Sequence, residues 1–151
     1  MRDVLATGTH AESGRRALMA DEGDSVWLYL TEPGVETIHA DGWLYTRIDA
    51  PSATALKERF ASYRARGLPP PAPADLVLPE ALRPVHPGAS EIRFVWSRDG
   101  EGVAVWERGE LVGFIAPGQR RGFSRFLIGS GPWGAPLDLD LYEELFPPER
   151  S

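Results

Sequence analysis

The sequence contains no cysteine, and this absence excludes several kinds of site at once. Disulfide frameworks, thiolate zinc sites, iron–sulfur clusters and cysteine nucleophiles all require the missing residue. The sequence also lacks an apolar run near the roughly 18 to 20 residues that a membrane span needs, and it begins without the apolar stretch of a secretory signal. We therefore expect a cytoplasmic protein that has no membrane partner and is stabilised by packing.

Lysine is nearly absent as well, since Lys57 is the only lysine among the 16 basic residues. The 22 acidic residues outnumber the basic ones and leave a formal net charge of -6. The electrostatic field of a negatively charged protein repels phosphate backbones, so we expect no nucleic-acid partner. The same charge favours a basic protein as the partner.

Motifs that bind phosphates or support catalysis are also missing. The sequence has no Gly-x4-Gly-Lys-Ser/Thr loop, no dinucleotide fingerprint and no Gly-x-Ser-x-Gly elbow, and Ser130 lacks the second glycine that such an elbow requires. The three histidines, His10, His39 and His86, are too far apart to form a closely spaced pair of zinc ligands. We predict no cofactor, no metal site and no catalytic residue.

The remaining composition is that of a folded domain. The chain has 151 residues, of which 42% are hydrophobic, and this length corresponds to one domain. We predict a single domain over residues 1–151 with an α+β fold. Its mostly antiparallel sheet is expected to combine an N-terminal strand plus hairpin with a C-terminal three-stranded meander, flanked by two or three helices.

Apolar alternation predicts the elements of the N-terminal half. Residues 17–20 indicate a helix turn or an edge strand, and residues 25–31, which are apolar on both faces, predict a central strand. Residues 35–40 and 43–48 predict a hairpin, because Asp41-Gly42 between them tolerates the positive φ angles of a two-residue turn.

A helix is predicted after this hairpin, with Asp49 or Ser52 as its N-cap. Leu56, Phe60 and Tyr63 follow at helical spacing and predict one buried stripe. The helix is expected to end before a stretch that is rich in proline.

Residues 68–88 predict an extended segment that wraps around the body of the protein. Proline denies this stretch both long helices and central strands, while its apolar residues favour contact with the core. The seven prolines are Pro69, Pro70, Pro71, Pro73, Pro79, Pro84 and Pro87.

The C-terminal half predicts an antiparallel meander over residues 91–116, because apolar residues alternate in three runs that turn residues separate. Residues 123–128 indicate a short strand or helix, and residues 129–136 a glycine-rich loop. A last short helix is predicted over residues 139–146, with Asp138 as its cap.

The most distinctive constellation is the arginine-rich turn, residues 118–126, in which Arg120, Arg121 and Arg125 alternate with glycine and aromatic residues. Residues of these types have three alternative roles: they form structural ion pairs, bind an acidic protein or a small anion, or stack on nucleic-acid bases. The negative net charge makes the last role the weakest. Trp133, in the loop that follows, is expected to plug the core or, if exposed, to anchor an interface.

Several strings resemble a group of short, uncharacterised bacterial proteins that are similar in general appearance to immunity proteins of secreted polymorphic toxins. The resemblance covers most of residues 25–146, transfers no catalytic residue and implies a protein-binding role. The strings are Val26-Trp27-Leu28-Tyr29-Leu30-Thr31, Trp43-Leu44-Tyr45-Thr46-Arg47, Gly102-Val103-Ala104-Val105-Trp106 and Arg121-Gly122-Phe123-Ser124-Arg125, with Trp133 downstream.

The first functional hypothesis is therefore a binding protein of the bacterial cytoplasm that neutralises a basic toxin. One candidate surface is acidic and consists of Glu32, Glu36, Asp41 and the C-terminal acids Asp138, Asp140, Glu143, Glu144 and Glu149. The other candidate surface consists of Arg120, Arg121, Arg125 and Trp133.

The alternative hypothesis is a small enzyme or ligand-binding domain with a pocket near residues 118–126. His39 and Asp41 come nearest to an acid–base pair, although we interpret both as structural residues of the hairpin tip. A deep pocket with His39 or His86 beside buried carboxylates would favour this alternative. A flat acidic face would favour the binding protein.

Overall fold

The computed structural model describes residues 3–85 and 87–148, which form two β-sheets and two α-helices. The mixed α+β class that the sequence predicts is confirmed. The two helices are fewer than the three that the sequence allowed, because the other helix-like turns are short 3-10 turns in and after the proline-rich segment.

The first sheet is antiparallel, with its strands in sequence order. Every residue of the third strand is buried, which confirms the central strand predicted from its two apolar faces. Residues 17–20 belong to an inner strand, not to a helix turn or a sheet edge, because a first strand that the sequence did not predict pairs beside them. The strands are β1 (Asp3–Thr9), β2 (Arg16–Asp21), β3 (Ser25–Thr31) and β4 (Ile38–Thr46).

The second sheet contains the predicted antiparallel meander and two further short strands. The last pair of strands is parallel, so this sheet is mixed and not purely antiparallel. The loop of residues 125–134 makes this pairing feasible, since it is long enough to bring the chain back in the same direction. The strands are β5 (Ile92–Trp96), β6 (Val103–Glu107), β7 (Glu110–Ile115), β8 (Phe123–Ser124) and β9 (Ala135–Pro136).

The two helices are α1 (Ala53–Ala65) and α2 (Leu139–Leu145). Ser52 Oγ accepts a hydrogen bond from the Ala55 amide at 3.1 Å, and Asp138 caps α2 in the same way. Leu56 and Tyr63 are buried as predicted, but Phe60 is 41% exposed. Four residues advance a helix by a full turn plus about 40°, so Phe60 lies beside the buried stripe and not on it.

The proline-rich segment lies over the ends of both sheets. Its backbone bonds to residues 126–128, with the Leu78 amide donating to the Phe126 carbonyl at 2.9 Å, and to β4, with the Arg83 amide donating to the Thr46 carbonyl at 2.9 Å. Ala72 is fully buried. The segment therefore contributes to the core in spite of its irregular backbone.

A buried carboxylate fastens this segment to the second sheet. Glu107 is 3% exposed and accepts hydrogen bonds of 2.7 Å from the Tyr45 hydroxyl and from Arg83. Burial and the neighbouring Glu107 carboxylate raise the pKa of Tyr45. The Arg83 guanidinium also lies 4.6 Å from the centre of the Phe126 ring. Each polar group of this network is thus paired, as buried charges require.

The Asp41-Gly42 dipeptide is not a turn, so the predicted hairpin over residues 35–48 is wrong. β4 passes through it without interruption, and residues 32–37 form the turn between β3 and β4. A Cβ atom on Gly42 would lie 3.0 Å from the Cα atom of Gly122. Gly42 is therefore explained by close approach to a second chain segment, which a side chain would prevent.

We predict that Gly42→Ala destabilises the fold by about 1–3 kcal/mol, because the new methyl group must push two backbone segments apart. Unfolding in urea, followed by tryptophan fluorescence, measures this change. Gly88→Ala is the matched control, since Gly88 has a φ of -74° and only a flexible Glu91 carboxylate oxygen 3.8 Å from the added carbon. Equal stability of the two variants would contradict the argument.

Candidate functional site

A cleft of about 240 Å³ lies where β3, β4, α1, the proline-rich segment and the arginine-rich turn meet. Aromatic and proline side chains line it together with one ion pair, and we call it the aromatic cleft. Three residues chosen from the sequence on separate grounds, Asp41, Arg121 and Trp133, converge here. The full lining is Trp27, Tyr29, Asp41, Phe60, Pro69, Pro70, Arg121, Pro132 and Trp133.

The floor of the cleft is rigid. Trp27 and Tyr29 are two residues apart on β3 and therefore share one face of the sheet. Their rings are nearly parallel, with centroids 6.4 Å apart. The Trp27 indole N–H donates to Ser25 Oγ at 2.8 Å, and the Tyr29 hydroxyl donates to Glu22. These bonds fix the ring orientations before any partner binds.

Trp133 forms one wall of the cleft and is 9% exposed. Its indole N–H donates to the Pro70 carbonyl at 2.8 Å, and its own carbonyl accepts from the Trp43 amide at 3.1 Å. The loop tryptophan thus plugs the core at the junction with the proline-rich segment.

Asp41 and Arg121 form the polar part of the cleft. Arg121 Nη1 donates to Asp41 Oδ1 at 3.1 Å, and the side chains are 29% exposed for Asp41 and 57% exposed for Arg121. Burial raises the pKa of Asp41, and the attraction of Arg121 offsets this effect only in part. Within residues 3–85 and 87–148, Asp41 Oδ2 and the other guanidinium N–H groups of Arg121 have no hydrogen-bond partner.

The arginine-rich turn does not form one continuous patch. Arg120 is exposed, and its carbonyl accepts the Asp41 amide at 3.1 Å. Arg125 lies apart from the aromatic cleft, because its Nε donates to the Leu111 carbonyl at 2.6 Å. It lines a second recess, beside α2.

The predicted acidic surface is divided between several ion pairs. Glu32 Oε1 lies 3.1 Å from His39 Nδ1, and Glu36 accepts from Arg16 at 2.9 Å, so neither glutamate joins Asp41 in the cleft. His39 is thereby paired with Glu32 and not with Asp41. His86 and Glu149 lie outside the described residues.

The second recess, which we call the helix cavity, has a volume of about 500 Å³ and lies between α2 and the second sheet. Among the residues that the structure describes, no histidine lines this cavity or the aromatic cleft. Its lining residues are Arg98, Trp106, Leu111, Arg125, Leu139, Tyr142, Glu143, Phe146, Pro147 and Pro148.

Two other kinds of site are not found in the described part of the chain. No group of three or more histidine, aspartate or glutamate side chains there is arranged to hold a metal ion. Neither of its helices combines the length and the apolarity that crossing a lipid bilayer requires.

Comparison with known proteins finds no match to a family model, to a curated protein or to a solved structure. The function must therefore be argued from the geometry of the site.

Sequence reasoning selected the polar residues of the cleft but missed its aromatic floor. Trp27 belongs to the strand that the sequence predicts to be central and is 5% exposed, and the helical spacing predicts Phe60 on the buried stripe of α1. The sequence did indicate the position of Phe60, because helical geometry places it to one side of Leu56 and Tyr63 and so leaves its ring beside the core.

We predict that Asp41→Asn is at least as stable as the wild type at about pH 7. The raised pKa of Asp41 means that its protonated form fits the fold better, so the wild type loses stability as the pH rises through that pKa. The asparagine side chain does not ionise, and the difference between the two proteins should vanish at about pH 3. Urea unfolding at both pH values measures it.

Asp99→Asn is the control, because the pKa of Asp99 is shifted in the opposite direction to that of Asp41. Hydrogen bonds from Ser97 and from the Glu101 amide lower the pKa of Asp99, so its charged form stabilises the fold. This variant should be less stable than the wild type at about pH 7, and the difference should shrink only as the pH falls through the lowered pKa of Asp99. A loss of stability at neutral pH in Asp41→Asn that matches the loss in Asp99→Asn would refute the description of Asp41.

Proposed function

We propose that this protein is a non-catalytic binding protein whose aromatic cleft receives a cationic side chain from a basic protein partner. The observation that carries the proposal is the Asp41 carboxylate, which lines the cleft together with aromatic rings, is half-buried and pairs with Arg121 through one of its two oxygens. A carboxylate of this kind gains from a second cation.

The size of the cleft supports a side chain as the occupant. Its volume of about 240 Å³ lies below the range of about 300–1,000 Å³ in which small-molecule pockets usually fall. Tryptophan, tyrosine and arginine, which line the cleft, are also the residues that most often dominate the binding energy of protein interfaces. One anchoring side chain of a partner fits this description.

The chemistry of the cleft supports a cation. Ring faces attract a guanidinium or ammonium group, and Asp41 Oδ2 provides an acceptor beside them. Arg121 shows that a planar cation fits against Asp41. Its side chain makes one hydrogen bond to the described residues and is 57% exposed, which allows it to rotate outwards. A partner's arginine could then share the carboxylate.

The charge of the whole protein supports a basic partner. A net charge of -6 attracts such a partner at long range and raises the rate of association. The alternative of acid–base catalysis has less support, since the described residues that line the cleft include one carboxylate and no histidine. The wider role that we propose is neutralisation of a basic toxin, as the resemblance to immunity proteins also implies.

We predict that N-acetyl-arginine amide binds the cleft and shifts the NMR signals of the Trp27 and Trp133 indole N–H groups. N-acetyl-citrulline amide, which has the same shape without the charge, should bind more weakly. Asp41→Asn should weaken the arginine probe about fivefold, which corresponds to about 1 kcal/mol for a partly exposed charge pair. NMR titration of the full chain measures all three affinities.

Glu36→Gln is the matched control, because Glu36 is an exposed and paired acid outside the cleft. It should leave the affinity for the arginine probe unchanged. N-acetyl-glutamate amide tests the opposite charge, since Lys57 and Arg64 lie on the same side of α1 as Phe60. Tighter binding of the glutamate probe, or equal binding of arginine and citrulline, would overturn the proposal.

The wider role predicts that a basic toxin encoded beside the gene for this protein stops bacterial growth unless the protein is co-expressed. Wild-type protein should restore growth, Asp41→Asn should restore it less well, and Glu36→Gln should restore it fully. Growth curves and purification of the toxin complex measure these effects. Failure of the wild type to bind and neutralise such a toxin would refute the wider role but not the cation site.

A further inference from the structure

We infer that the helix cavity is a second binding site, which takes a small carboxylate with an apolar body. Its volume of about 500 Å³ lies within the usual range for small-molecule pockets, about 300–1,000 Å³, unlike that of the aromatic cleft. The two recesses share no lining residue. Binding at the helix cavity is therefore independent of the proposed function.

The cavity is held open by an aromatic cluster. Phe114 of β7 contacts Tyr142 and Phe146, with ring centroids 5.6 Å and 5.5 Å away, and the Trp106 indole N–H donates to the Tyr142 hydroxyl at 3.2 Å. These contacts fix the distance between α2 and the sheet. The apolar walls are thus in place before a ligand arrives, which lowers the entropic cost of binding.

The walls favour an apolar ligand body. Trp106 and Leu111 come from the sheet, and Leu139 comes from α2 and is 53% exposed. An exposed leucine that lines a recess gains from contact with an apolar group. A long or broad hydrocarbon portion would bury this surface.

Two guanidinium groups supply the site for a carboxylate. Arg125 uses its Nε for the Leu111 carbonyl, and its two terminal amino groups have no hydrogen-bond partner among the residues that the structure describes. Glu110 Oε2 lies 3.8 Å from Arg125 Nε, beyond hydrogen-bond distance. With the described residues, the side chain of Arg98 makes one long hydrogen bond, of 3.5 Å, to the Phe146 carbonyl. Charged donors with unused capacity bind carboxylates strongly.

Two acidic side chains oppose this charge: Glu110, which lies 3.8 Å from Arg125, and Glu143. Of the two, Glu143 lines the cavity together with the two arginines, so the charged residues in the described part of the lining sum to a single positive charge. Glu144, the next residue, is also exposed but does not line the cavity. This pair of neighbouring glutamates provides a matched test of the charge at the site.

The test is a calorimetric titration of the full chain with decanoate and with decanol, which share a ten-carbon chain and differ in charge. Decanoate should bind at one saturable site, at least about tenfold more tightly than decanol. Arg98→Gln should weaken decanoate binding about tenfold without changing the affinity for decanol. Glu143→Gln should tighten decanoate binding, while Glu144→Gln should leave it unchanged.

Misfolding cannot imitate this pattern, because one variant loses affinity and another gains it. Equal affinities for decanoate and decanol would show an apolar surface without a carboxylate site and would overturn the inference. The absence of saturable binding would overturn it as well. A response of Glu144→Gln equal to that of Glu143→Gln would place the charge effect outside the cavity and count against the inference.

Discussion

The close contact between Gly42 and Gly122 is the constraint on which the rest of the structure depends. Around it, the Gly122 amide donates to the Asp41 carbonyl at 2.9 Å, and the Gly122 carbonyl accepts the Ala135 amide at 3.0 Å. One residue pair thus joins β4, the arginine-rich turn and the strand that follows Trp133. Because neither glycine has a side chain, the backbones approach closely enough to place Asp41 beside Arg121. The aromatic cleft follows from this backbone junction.

The strands with a clear apolar pattern could be predicted from the sequence, and those without one could not. The meander alternates and β3 is apolar on both faces, whereas every residue of β1 is exposed or half-buried and offers no periodic signal. The Asp41-Gly42 dipeptide fits a tight turn and a close backbone approach equally well. The residue that decides between them is Gly122, 80 positions away, and local sequence carries no information about that contact.

The candidate site was predictable in its polar residues and not in its shape. Asp41, Arg121 and Trp133 stood out individually, but their convergence depends on the sheet junction. The burial of Glu107 did have a signal, since it continues the inward alternation of Val103 and Val105 on β6. Its partner Arg83 comes from the proline-rich segment, which has no periodic pattern. The burial of Glu107 could therefore be predicted from the sequence, but its pairing with Arg83 could not.

The distribution of charge separates structural arginines from those that border the recesses. Arg83 donates to Glu107 and Glu110, and Arg15 donates to the Thr31 carbonyl and to Glu101, although the buried Nε of Arg15 has no partner in the described part of the chain. Among the described residues, Arg121, Arg98 and Arg125 also have donors without a partner, and each of these three lines a recess. Incomplete pairing of a half-buried charge costs stability, and proteins retain such costs where a ligand or partner completes the pairing. Our proposals therefore place ligands at the two recesses that such arginines line, and not at the buried Nε atoms of Arg15 and Arg47, which line neither recess.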